Sequence, residues 1–137
     1  MLYVVKLTIP ANTPLDKPVE KKIKIKERYI ERIMVYFPPG HNCLTRVAFF
    51  YGLQQILPDR ENEWIMGNNV IVDSKIIFPA PEVPFELTIK AANLDTKYNH
   101  TIYVYIFTTD EIADLILLRL ERVVEELVER LRYFFGV

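Results

Sequence analysis

Near residue 108 the hydrophobic pattern of this 137-residue chain changes its period, and that single change divides it into two kinds of structure. Before it, Pro, Gly and Asn cut the chain into short runs rich in Val, Ile, Tyr, Phe and Thr, the residues that fit a pleated, half-buried surface. Eight such runs are expected to be strands: 2–9, 19–27, 30–37, 45–52, 63–66, 70–78, 85–92 and 101–108. Alternation is clearest in Lys22-Ile23-Lys24-Ile25-Lys26 and in Phe85-Glu86-Leu87-Thr88-Ile89-Lys90, which predicts strands with one wet face.

Two runs differ. Ile33-Met34-Val35-Tyr36-Phe37 and Ile102-Tyr103-Val104-Tyr105-Ile106-Phe107 carry bulky residues at every position, as strands do beneath a second layer or a subunit contact. The separators, such as Pro38-Pro39-Gly40, Gly67-Asn68-Asn69 and Pro79-Ala80-Pro81, are turn chemistry. Eight strands joined this way predict a mainly β chain, a β-sandwich over residues 1–109, and the number matches an eight-stranded jelly-roll.

From residue 110 the period is helical. Ile116, Leu120, Val123, Val124, Leu127, Val128, Leu131 and Phe134 share one arc of about 140°, with Arg and Glu filling the rest, so a C-terminal amphipathic helix is expected over 110–135 within a second segment, 110–137. Thr108 and Glu111 fit a capping box. An apolar arc this wide can pack on its own sheet, on other copies or on a membrane. The segment from Asp110 onward holds seven acids against four arginines and no lysine, which disfavours an anionic membrane. Ile116, Leu120, Val123, Leu127, Leu131 and Phe134 are therefore the candidate oligomer interface.

Charge and composition mostly exclude. With 17 basic against 18 acidic residues the chain has no surplus for neutralising a phosphate backbone, so no nucleic-acid partner is expected. The basic run Lys21, Lys22, Lys24, Lys26, Arg28 and Arg32 is interrupted by Glu20, Glu27 and Glu31, and fits a solvated face. One Cys forms no intrachain bridge. Residues 1–10 lack a basic n-region and a long apolar core, and no run of 18 apolar residues occurs, so neither a secretory signal nor a membrane span is expected and an intracellular location follows. Ser74 is the only serine and Gln54 and Gln55 the only glutamines, while Ile, Glu, Lys and Arg abound, a usage typical of thermophilic hosts.

Catalytic chemistry finds few residues. A metal-binding jelly-roll needs two or three His with a carboxylate, and this chain has only His41 and His100, without ligand spacing. Both are expected on separate loops, bonded to backbone, and Cys43 is expected as a small buried hydrophobe. Ser74 lacks a nucleophile elbow. Four glycines at 40, 52, 67 and 136 form no phosphate loop. No catalytic residue, metal ligand or cofactor is assigned, and the chain is expected not to be an enzyme. Trp64 beside Gly67-Asn68, together with His41, forms a candidate ligand or partner loop (Trp64, Asn68, His41), on which the alternative function rests, a carbohydrate- or protein-binding module.

Trp64-Ile65-x-Gly67-Asn68, the Pro-flanked entry into Phe85-Glu86-Leu87-Thr88-Ile89, Asn93-x-Asp95 and His100-Thr101-Ile102 resemble small single jelly-roll subunits encoded by archaeal and bacterial viruses and their integrated relatives. The resemblance covers about residues 60–107. It implies a virion or assembly-surface component whose function is self-association, with other copies and other virion proteins as partners, and it transfers no active-site residue.

Overall fold

The computed structural model describes the backbone of residues 1–135 and the side chains of residues 1–111 and 119–135. Eight strands run β1 (Leu2–Ile9), β2 (Val19–Ile25), β3 (Tyr29–Phe37), β4 (Thr45–Tyr51), β5 (Gln54–Leu57), β6 (Val70–Pro79), β7 (Phe85–Asn93) and β8 (His100–Thr109), followed by the helix α1 (Ile112–Phe135). They form two four-stranded antiparallel sheets, a first of order β1-β8-β3-β6 and a second of order β2-β7-β4-β5. Pairing is nested: β1 with β8, β2 with β7, β3 with β6 and β4 with β5.

Both sheets contribute to one core, in a β-sandwich-like arrangement. Ile33, Val35 and Phe37 of β3 and Ile102, Val104 and Ile106 of β8 turn inward from the first sheet, and Val47, Phe49, Leu87 and Ile89 from the second. Each of these side chains is at most 1% exposed, and burying one stabilises the fold by about 1.5–3 kcal/mol. No described side chain of α1 belongs to that core. In β3 the alternation breaks at a bulge between Ile30 and Arg32, which lets Ile30 and Ile33 both face inward while Arg32 stays on the outer face.

Four local expectations are corrected. Residues 63–66 make no strand; only Ile65 forms an isolated bridge with Val47. The eighth strand is instead β5, paired with β4 through the two-residue turn Gly52-Leu53, where Gly52 takes φ +60° as a tight hairpin requires. Thr108 does not cap the helix, because it is buried in β8 and its hydroxyl donates to Glu27 Oε1 (2.8 Å). The helix begins at Ile112, and Thr109 Oγ1 accepts from the Glu111 amide at 3.1 Å. Cys43 is exposed, in a turn where it takes φ +60°.

Candidate functional site

Every described residue of α1, from Arg119 to Phe135, is exposed. Among the candidate interface residues, Leu120 is 54%, Val123 58%, Leu127 56%, Leu131 48% and Phe134 82% exposed. Helical spacing lines them on one face, and no described side chain of the sandwich covers it. Ile116 belongs to the same arc by sequence, but its side chain lies outside the described residues. The opposite, charged face borders the first sheet across a gap: Arg119, Arg122 and Glu125 line a cleft of about 570 Å³ with Arg32, Lys75 and Phe107. The helix thus leaves the sandwich with its polar side toward the first sheet and its apolar side away. None of the described helices is long and apolar enough to cross a membrane.

The outer face of the first sheet, which α1 borders at Arg32, Lys75 and Phe107, is a second largely apolar surface. Register places three rows across it: Leu2, Phe107, Arg32 and Lys75; Val4, Tyr105, Met34 and Asp73; Lys6, Tyr103, Tyr36 and Ile71. Tyr36 and Tyr103 stack at 6.1 Å, and Arg32, held by both carboxylate oxygens of Asp73, lies 5.7 Å from the Phe107 ring centroid. Val4 and Ile71 are more than half exposed. Among the described residues no second layer packs on this face of β3 and β8, and a subunit contact is the other cover expected there.

The second sheet faces outward quite differently. Glu20, Lys22 and Lys24 of β2 and Glu86 and Lys90 of β7 line a shallow cleft of about 830 Å³. Lys90 Nζ sits 3.7 Å from Glu20 and 4.4 Å above the Phe50 ring. Charges of both signs alternate there. The basic run is also dispersed, because Arg28 and Arg32 leave the β2 surface, Arg28 donating to Ala80 O and Arg32 pairing with Asp73.

One end of the sandwich gathers polar residues, and there His100 opens β8 and pairs with a carboxylate instead of lying on a loop bonded to backbone. The His41 and His100 rings lie 4.5 Å apart, and Asp95 Oδ2 accepts from His100 Nε2 at 2.8 Å. His41 is 2% exposed. Its Nε2 donates to Thr101 O (3.1 Å), so in the neutral ring Nδ1 accepts from the Thr45 hydroxyl (2.8 Å). Burial and the neighbouring His100 hold His41 below the usual histidine range. The amides of Lys97 and Tyr98 and the His100 ring hold the Asp95 carboxyl below its usual value. Asn93, buried, donates to Ile9 O and Tyr98 O and accepts from the Asp95 amide.

The expected loop is only partly assembled. Asn68 Oδ1 accepts from the Gly40 and Asn42 amides at 3.0 and 3.2 Å, so it binds the His41 turn rather than presenting itself to a ligand. Trp64 is half-buried. His41 has both ring nitrogens engaged, and Cys43 makes no hydrogen bond to either histidine among the described residues. Likewise, no group of three or more His, Cys, Asp and Glu among those residues is placed to hold a metal ion. Sequence reasoning anticipated neither the His41–His100–Asp95 cluster nor the aromatic rows of the first sheet, although the two-sided run 102–107 signalled the latter. Compared with known proteins, the chain matches no family model, no curated protein and no solved structure.

Proposed function

We propose that this chain is a non-enzymatic structural protein that assembles with copies of itself through α1, on a jelly-roll scaffold. The observation that carries self-association is the uncovered apolar stripe of the helix. Leu120, Val123, Val124, Leu127, Val128, Leu131 and Phe134 are between 42% and 82% exposed. Together they offer roughly 700 Å², close to the ~800 Å² each partner gives to a standard interface and above the few hundred Å² that a monomer ordinarily leaves in water. The occupant is a second copy, because each chain brings both an uncovered helix face and a largely apolar sheet face, and a closed oligomer matches such surfaces within itself.

The jelly-roll scaffold is supported by the strand orders β1-β8-β3-β6 and β2-β7-β4-β5, in which nested antiparallel pairs divide between two sheets. The resemblance over residues 60–107 supports a place among virion or virus-derived components, with other virion proteins as further partners. Nucleic acid, membrane and cofactor have no part in this function.

The test compares the full chain with a chain ending at Thr109 and with Leu120→Glu/Leu127→Glu, by light scattering and circular dichroism. Both variants folded, at single-chain mass beside a larger parent, is the expected result. Variants that unfold, or a parent and variants of equal mass, overturn self-association through α1. So does a single-chain parent that sediments with anionic vesicles.

A further inference from the structure

Assembly through the helix leaves open what the stripe rests on, and two surfaces compete: the stripe of another helix, or a sheet. Resting on the self-association reading above, we infer that the outer face of the first sheet is the receptor for α1 of a second copy. Four strands at about 4.8 Å spacing set the outer strands about 14 Å apart, and three rows of outward residues at about 3.3 Å per residue extend about 13 Å along them. From Leu120 to Leu131 the helix rises about 16 Å. One helix laid across the strands therefore meets β1, β8, β3 and β6 with its central apolar residues.

The two surfaces also match in chemistry. Val4, Tyr105 and Met34 make a middle row that is apolar apart from the Asp73 end, and Asp73 is already neutralised by Arg32. The remaining charges of the rows, Lys6 and Lys75, are basic and have no ion-pair partner among the described residues. The polar side of the helix carries both signs, Glu121, Glu125, Glu126 and Glu129 interspersed with Arg119, Arg122, Arg130 and Arg132, so carboxylates are within its reach for these two lysines. The second sheet offers no comparable seat, since Lys22, Lys24, Glu86 and Lys90 would be stripped of water by an apolar helix.

Orientation selects another copy's helix over the chain's own. The helix borders its own first sheet with Arg119, Arg122 and Glu125, so its apolar face already points away from that sheet. A second copy laid over the stripe, sheet face inward, covers it without rolling the helix, and by two-fold symmetry the second helix returns the same contact.

The experiment places Val4→Glu/Ile71→Glu, at two half-exposed outer positions, beside Leu120→Glu/Leu127→Glu and the conservative Tyr105→Phe, with mass read by light scattering and folding by thermal melting. The sheet variant is expected to melt within a few degrees of the parent yet fall to 16.2 kDa, as the helix variant does, while Tyr105→Phe keeps the parental mass. A sheet variant that keeps the parental mass while the helix variant loses it overturns the sheet receptor and leaves helix-mediated assembly standing. A helix variant that keeps the parental mass overturns both. If the sheet variant unfolds, Tyr103→Lys in its place decides by the same two readings, and parental mass there overturns the receptor.

Discussion

His41, in the β3–β4 connection, and His100, at the start of β8, hold their rings 4.5 Å apart at a tilt of 34°, with Asp95 against the His100 ring and Thr45 against the His41 ring. Burial first, then repulsion from His100, keeps His41 below its ordinary value of 6.5, while the hydrogen bond to Thr101 O opposes the shift. The unfolded chain therefore takes up a proton near pH 6.5 that the folded chain resists, so stability is full above that pH and falls as pH drops below it. Melting temperature should fall between pH 7.5 and 5, and less steeply in His41→Asn. A flat profile over that range contradicts the lowered pKa assigned to His41.

Asp95 adds a second window. Its carboxyl is held below 3.8 by the Lys97 amide, His100 and the Tyr98 amide, so its contribution is present above that value and is lost as pH falls below it. In Asp95→Asn, stability below pH 4 should depend less on pH than in the parent. Equal slopes in the two proteins would show that Asp95 is not held in its charged form.

The inward face of β8 tolerates no charge. Val104 and Ile106 are fully buried between the sheets, and an unpaired carboxylate there costs several kcal/mol against a total stability of roughly 5–15 kcal/mol. Val104→Asp and Ile106→Asp should abolish soluble expression. Parental melting in either would place the residue outside the core.

These features differ in how far they could be read in advance. Lys22-Ile23-Lys24-Ile25 announces β2 because alternation of charge and aliphatic side chains has one structural solution, and the inward set of β8 follows from period two. Gln54-Gln55 hides β5, since two glutamines carry no pattern and the strand depends on the Gly52 turn and on pairing with β4. Glu63 to Met66 looks more strand-like than it is, because Ile65 alone reaches the β4 edge. The helix is legible through to Phe135, but its start is not: Thr108 matches a capping box and is instead claimed by the core and by Glu27. Contacts such as His41 with His100 depend on long-range register and leave no local trace.

Glu27 is a buried carboxylate that would be costly alone. Burial pushes its pKa up, and the hydroxyls of Tyr3 and Thr108, both at 2.8 Å, outweigh that and hold it below the usual glutamate value. Thr108→Val should cost about 1–3 kcal/mol by removing one of the two donors to Glu27 Oε1. Denaturant unfolding measures it, and an unchanged midpoint would exclude the network from the stability of the fold.

Gly67 is needed for close approach rather than for a turn conformation. A methyl group there would fall 2.5 Å from Val70 Cγ1 and 3.0 Å from the Phe37 ring. Gly67→Ala should therefore destabilise by about 1–3 kcal/mol, the usual cost of overpacking. A melting temperature at or above the parent's would mean that the 67–70 connection yields freely.

Sedimentation equilibrium of the unaltered chain over a hundredfold range of concentration bears most directly on assembly through α1. At the higher concentrations the mass should be a whole multiple of 16.2 kDa, declining toward the single-chain value only on dilution. A constant 16.2 kDa across the whole range would mean that the apolar stripe of α1 does not join copies of this protein.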